Sequence, residues 1–178
     1  MTEGIFIEGL IYGFMVLGLF ITFRVLNFCD MTVDGSFPMG GAVMASLLLK
    51  GVPPVAALCA SFVCGTLAGL VTAVIHNKFK LPDLLSGILT MTMLYSVNLR
   101  IMSGRANLQL LRVNTLFTGI TNQFSNVLGY DGSILLFMVI LTVVLKLLLD
   151  IFFHTDFGLS MGVLGSNVQL IVSQGMNP

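Results

Sequence analysis

Charge is scarce in this chain. Only 9% of its 178 residues are charged, while 56% are hydrophobic, and the mean hydropathy is +1.01. A soluble domain carries about 25% charged residues. A chain this apolar lacks the polar groups to cover a water-facing surface, so a soluble globular protein is excluded and a polytopic membrane protein remains. Net charge is zero, and no basic stripe offers itself to nucleic acid. Cysteine is sparse too. Cys29, Cys59 and Cys64 are an odd set in apolar surroundings, which argues against a disulfide framework or a metal site. They read as small hydrophobes; a catalytic thiol needs an electropositive, accessible setting. His76 and His154 stand alone, and no paired His or Asp lies within a span, so an intramembrane enzyme has no machinery here. No glycine-rich phosphate loop is found, and no cofactor or metal is expected. No basic region precedes the first apolar run, which carries Glu3 and Glu8 instead. That run predicts a retained span, not a cleaved signal peptide.

What is present is a series of apolar runs. Residues 5–26 would make about 33 Å of helix, enough for a hydrocarbon core of about 30 Å. Residues 35–49 form a shorter candidate, and residues 52–75 a long one opening on Pro53 and Pro54, which suit a helix start. Residues 84–102 are a fourth candidate, weakened by Asn98 and Arg100. Residues 133–153 are the fifth. Between the last two lies the one long polar stretch, residues 104–131, where a short amphipathic helix is expected over residues 108–117. The pairs Gly9 and Gly13, Gly41 and Ala45, Gly65 and Gly69 recur at a spacing that lets membrane helices approach closely. No internal repeat is visible. Charge leaves orientation open, four basic residues falling on each side, although the turn HNKFK, residues 76–80, has the look of a cytoplasmic loop.

The stretch LNFCDMTVDGSFPMGGAV, residues 26–43, carries two acids between apolar runs. If a helix starts at Phe37, Asp34 and Ser36 precede its first turn and Pro38 lies within it. Ser36 then accepts from a free helical N–H, and Asp34 faces the positive end of the helix dipole. A helix this short reaches only about 20 Å and must be continued by extended chain. Such a broken element survives in a membrane only inside protein or along a cavity. Two readings stand. In one, the acids are interfacial caps, and Asp34 acts through the break and not by its charge. In the other, Asp30, Asp34, Gly35, Ser36 and Asn98 shape a translocation path, because intramembrane polar groups are functional candidates. Asp30 has no evident partner, and two acids offer too few oxygens for a metal site.

The block FRVLNFCDMTVDGSFPMGGAV, residues 23–43, resembles the first block of bacterial ABC importer permeases, nearest to the branched-chain amino acid and ribose permease superfamily. The longer block LPDLLSGILTMTMLYSVNLRIMSGRANLQLL, residues 81–111, resembles one subgroup, some of whose members are linked to tryptophan or tyrosine import. The resemblance implies an all-α polytopic membrane protein of the bacterial plasma membrane, with about five membrane-embedded helices, one of them short or broken, plus a cytoplasmic coupling helix. It implies a single permease domain over residues 1–178 that forms the path for a small solute, an aromatic or branched-chain amino acid. Its implied partners are a separate ATP-binding subunit, an extracytoplasmic solute-binding protein, a second permease copy and membrane lipid. Such permeases are longer, with further spans, which implies a truncated or degenerate form here.

The tail TDFGLSMGVLGSNVQLIVSQGMNP, residues 155–178, is similar to the segment through which these permeases meet their ATPase. A Gly-x-Asn element leads a short helix and returns near its end, here Gly165 and Asn167, then Gly175 and Asn177. Family members carry arginine in this region; this tail has no charge after Asp156. A helix is expected over residues 163–174, approached loosely at Gly162 and Gly165, capped by Asn167 and stopped at Gly175. Leu164, Val168 and Ile171 share one face, with Val172 beside them. Five spans before a cytoplasmic coupling segment put the N-terminus and residues 104–131 outside. The rival to the importer reading is a channel or small structural membrane protein.

Overall fold

The structure is a computed structural model and describes residues 2–105, 107–110, 113 and 115–166. Its elements are helices α1 (Thr2–Phe20), α2 (Val33–Leu49), α3 (Pro54–Phe79), α4 (Asp83–Ile101), α5 (Leu116–Phe153) and α6 (Asp156–Ser166), with a π-helical turn, Ile21–Val25, continuing α1. Among the described residues, four helical stretches are long and apolar enough to cross a membrane, and α2 is a shorter apolar helix. The chain is an all-α polytopic membrane protein. It divides into two compact units: Met1–Cys29 with Phe124–Pro178, and Asp30–Gln123.

In the first unit, α1 widens into its π turn at Thr22. The Thr22 hydroxyl donates to the carbonyls of Leu19 at 3.0 Å and Gly18 at 3.4 Å. A hydroxyl back-bonded to the preceding turn competes with the backbone ladder and bends a helix. The Leu26 N–H then reaches back to the Ile21 carbonyl at 3.2 Å, and Asn27, at φ 52°, ends the helix. Helix α6 packs against this π turn. Gly165 makes the approach possible: a Cβ there would run into the Val25 carbonyl oxygen and lie 2.9 Å from the Leu26 carbonyl carbon. The helix expected from residue 163 begins instead at Asp156, so Gly162 and Gly165 are helical and do not loosen its approach. Asp156 sits in its first turn, favourable against the helix dipole. Asn167, Val168, Ile171, Val172, Gly175 and Asn177 lie outside the described residues.

Of the short helix expected over residues 108–117, the described residues 108–110, 113 and 115 are non-helical. Asn107 and its neighbours compete for the backbone, and a short isolated helix carries the full cost of nucleation. The polar sequence after Leu116 instead extends the following apolar helix, where each added residue avoids that cost. The resulting 38-residue α5 is about 57 Å long, so it outreaches a hydrocarbon core of about 30 Å.

In the second unit, α2 packs on α3 and α4, and α3 packs on α4. Met39, Val43, Ala68 and Leu94 form the apolar core, with Leu47, Ala60, Cys64 and Ile101 against it. Buried polar groups are as prominent: Thr32, Thr72, Ser86, Thr90 and Asn98. The α4 contribution is a ladder, Ser86, Thr90, Leu94 and Asn98, one residue every helical turn. The Ser86 hydroxyl donates to the Asp83 carbonyl and that of Thr90 to the Ser86 carbonyl, so these small polar side chains are satisfied within their own helix. Lys80, at φ 52°, ends α3. The turn to α4 is held by His76, whose Nδ1 lies 2.8 Å from the Leu81 carbonyl and 3.4 Å from the Asp83 carboxylate.

The glycine pairs expected to mediate packing do not do so among the described residues. A Cβ at Gly9, Gly13, Gly41, Gly65 or Gly69 would meet nothing within 4 Å. The close approaches fall elsewhere. A Cβ on Gly87 would sit 2.7 Å from the Met31 backbone nitrogen, and one on Gly35 would sit 3.1 Å from Leu94 and from the Met91 backbone.

A candidate translocation cavity between α2 and α4

Helix α2 starts at Val33, four residues before the expected start, and this changes the roles of the residues at its head. Asp34 lies inside the first turn and caps nothing. Ser36 does not accept from a free N–H; its hydroxyl donates weakly to the Val33 carbonyl at 3.5 Å. The residue that organises the start is Asp30, whose Oδ1 accepts from the Thr32 N–H at 2.8 Å. Thr32 in turn shares a 2.7 Å hydrogen bond with Thr72 of α3, buried on both sides. With Thr32 pinned, the next residues can turn into helix at once. Pro38 then falls within α2 rather than in its first turn. Proline has no N–H, so the Asp34 carbonyl loses its i+4 helical donor.

The level of the α2 head along α4 follows from register. Met31 abuts Gly87, while Gly35 abuts Met91 and Leu94 and its carbonyl accepts from the Asn98 amide at 3.2 Å. Counted from the start of α4 at Asp83, Met91 to Asn98 lie about 12 to 22 Å along the helix. That level is the middle and later part of α4, a helix long and apolar enough to cross a membrane. The head of α2, with Asp34, thus lies level with the middle of α4; Asp34 makes no capping bond there, whereas Asp30 accepts from the Thr32 N–H. Residues 26–32 are the irregular backbone that precedes α2. Non-helical backbone within a membrane protein's spans persists when it is enclosed by protein or lines a cavity.

A cavity of about 430 Å³ opens here, lined by Asp34, Gly35, Pro38, Met91, Thr92, Tyr95, Asn98, Leu99 and Met102. Three of the five residues singled out from sequence, Asp34, Gly35 and Asn98, meet in it. Asp30 and Ser36 are not among its lining. Asn98 is 8% exposed. Its amide nitrogen is satisfied by Gly35, but its Oδ1 is closed from solvent and has no hydrogen-bond partner among the described residues. Asp34 has no cationic partner among them. Met102 also borders a second cavity of about 210 Å³, which Lys50 and Arg105 line. Sequence reasoning missed Thr32, Thr72, Met91 and Tyr95. The i+4 ladder on α4 was the signal that would have pointed to that helix face.

The sequence profile described as the permease component of branched-chain amino acid transport systems matches residues 1–178. The chain is 41% identical, over 96% of its length and 54% of the relative's, to the tyrosine transport system permease protein of Clostridioides difficile (strain R20291). It is 30% identical, over 90% of its length and 53% of the relative's, to the uncharacterized protein RP368 of Rickettsia prowazekii (strain Madrid E). The chain thus spans about half the length of these relatives. No solved structure matches it.

Proposed function

Because the chain belongs to the family of permease components of branched-chain amino acid transport systems, we propose that it supplies membrane-path helices to an ATP-binding cassette importer of an amino acid, with an aromatic side chain the favoured class. It is a multi-pass protein of the bacterial inner membrane. The observation that carries the substrate class is the 41% identity to a tyrosine transport permease. The cavity beside Asp34 supports it: its volume of about 430 Å³ falls within the usual range for small-molecule sites, and its walls are largely apolar.

In this reading ATP is hydrolysed by a separate subunit, a solute-binding protein delivers the amino acid from outside, and two permease copies face each other. The N-terminus and residues 104–131 lie outside, and α6 lies on the cytoplasmic side. The contact between α6 and the π turn offers the route by which movement at the ATPase reaches the membrane: α6 bears on Val25 and Leu26, and the chain runs from there to Asp30 and the head of α2.

The test is co-expression with a candidate ATPase and binding protein, followed by purification and reconstitution. ATP-driven uptake of radiolabelled L-tyrosine, competed by L-phenylalanine, is expected. Failure of the ATPase to co-purify, with no uptake, would overturn the importer reading. The orientation is tested in cells carrying a Cys-free background. Asn122→Cys should react with an impermeant maleimide and Asn77→Cys should not; the reverse labelling would invert the topology.

A further inference from the structure

The cavity between α2 and α4 is rich in hydrogen-bond acceptors and poor in donors. The Asp34 carboxylate lines it without a cationic partner among the described residues. The Asp34 carbonyl has lost its helical donor to Pro38, another lining residue. Asn98 Oδ1, on a side chain more than nine-tenths buried, lacks a partner among the described residues but is closed off from an occupant of the cavity. The hydroxyl of Thr92 is already committed as donor to the Leu89 carbonyl at 2.9 Å. A carboxylate without a cationic partner within a membrane protein is costly to keep, and a multi-proton cationic donor in the cavity relieves it. The remaining lining, Met91, Leu99, Met102 and the ring of Tyr95, is apolar or aromatic.

We propose that this cavity is a binding site for a primary ammonium group attached to an apolar or aromatic body. The ammonium pairs with the Asp34 carboxylate, and the body lies against Met91, Tyr95, Leu99 and Met102. The ammonium's three protons suit a carboxylate, which only accepts, and the ring of Tyr95 adds a face that attracts cations. A bare alkali ion would satisfy the oxygens but leave most of a 430 Å³ space unfilled, so the organic cation is the better match. The site deepens the importer reading and rests on it for transport, but binding can be read without transport.

The experiment uses the purified chain in lipid nanodiscs, with Cys29, Cys59 and Cys64 replaced by alanine and Thr92→Cys as reporter. The rate of maleimide labelling at position 92 is followed with phenethylamine, 3-phenylpropionate, sodium chloride or choline chloride present. Phenethylamine should slow labelling; 3-phenylpropionate and sodium should not. Asp34→Asn should weaken phenethylamine protection roughly ten- to hundred-fold, the usual worth of a charge-assisted hydrogen bond, while leaving the unprotected rate unchanged. Equal protection by 3-phenylpropionate, protection by sodium alone, or full protection surviving in Asp34→Asn would each overturn the proposal. Absent uptake with phenethylamine-selective protection retained would sink the importer reading and leave the site standing. Tyrosine uptake without such protection would do the reverse.

Discussion

Helices α1 and α4 are each 19 residues long, and each is part of a stretch able to cross a membrane. Helix α1 is a nearly unbroken apolar run in which no residue is buried. Helix α4 is interrupted by serine, threonine, asparagine and arginine, yet five of its residues are buried: Ser86, Gly87, Thr90, Leu94 and Asn98. The more apolar helix is the less buried one. In water the order would be reversed, because burial there is driven by removing apolar surface from solvent. Lipid tails are as apolar as leucine, so leucine gains little by turning inward, and close packing of small residues and polar contacts takes over. In this chain the imperfections of an apolar run mark its protein-facing side.

The comparison breaks most visibly at glycine. Gly87→Val puts a branched side chain into the backbone at Met31 and should cost about 3 kcal/mol or more, beyond ordinary overpacking because backbone cannot yield. Gly9→Val on α1 meets open space and should be near neutral. The yield of monodisperse protein after detergent extraction reads the difference; equal yields would show that α2 and α4 do not approach as described.

A smaller effect is expected at the contact between α6 and the π turn. Gly165→Ala should lower ATP-driven uptake roughly fivefold, equivalent to about 1 kcal/mol, with the ATPase still co-purifying. Gly162→Ala, one turn away and facing open space, is the matched control. Equal uptake in the two variants would remove α6 from the proposed coupling route. Next comes the Thr32–Thr72 bond. A double-mutant cycle with Thr32→Val and Thr72→Val, read by thermal unfolding in detergent, should give a coupling of about 0.6 kcal/mol, typical of hydrogen bonds between membrane helices. A coupling of zero would free the head of α2 from α3. The smallest effect belongs to His76→Asn in the α3–α4 turn. Its pairing with Asp83 is partly exposed on both sides, so the loss should stay within about 0.5 kcal/mol, read on the same melts.

The apolar runs were legible because length and composition alone identify a span. The ladder on α4 was in plain view as well, but Asn98 and its polar neighbours read as weakness in a span when they are the reason that face is buried. The head of α2 was misread for a different cause. Asp-Gly-Ser-Phe-Pro has the composition of a break, and a proline normally marks a helix start. The Asp30 and Thr32 bonds fix the chain earlier, so helix begins at Val33 and encloses Pro38. That outcome depends on Thr72, forty residues away, which no local pattern exposes. The level of Asp34 along α4 likewise follows only from the approach of Gly35 and Gly87 to their neighbours. The glycine pairs chosen by spacing had no such tertiary partners.

The proposed site has Asp34 acting by its charge on the wall of the cavity between α2 and α4 and not as a helix cap. Asp34→Asn, in the reconstituted transporter with its ATPase and binding protein, tests it directly, because asparagine keeps the size and a side-chain oxygen but removes the charge. Initial rates of ATP-driven L-tyrosine uptake should fall by roughly tenfold or more, the worth of one charge-assisted hydrogen bond, at unchanged membrane protein level. Uptake within twofold of the unaltered transporter would contradict the account and return Asp34 to a purely structural role.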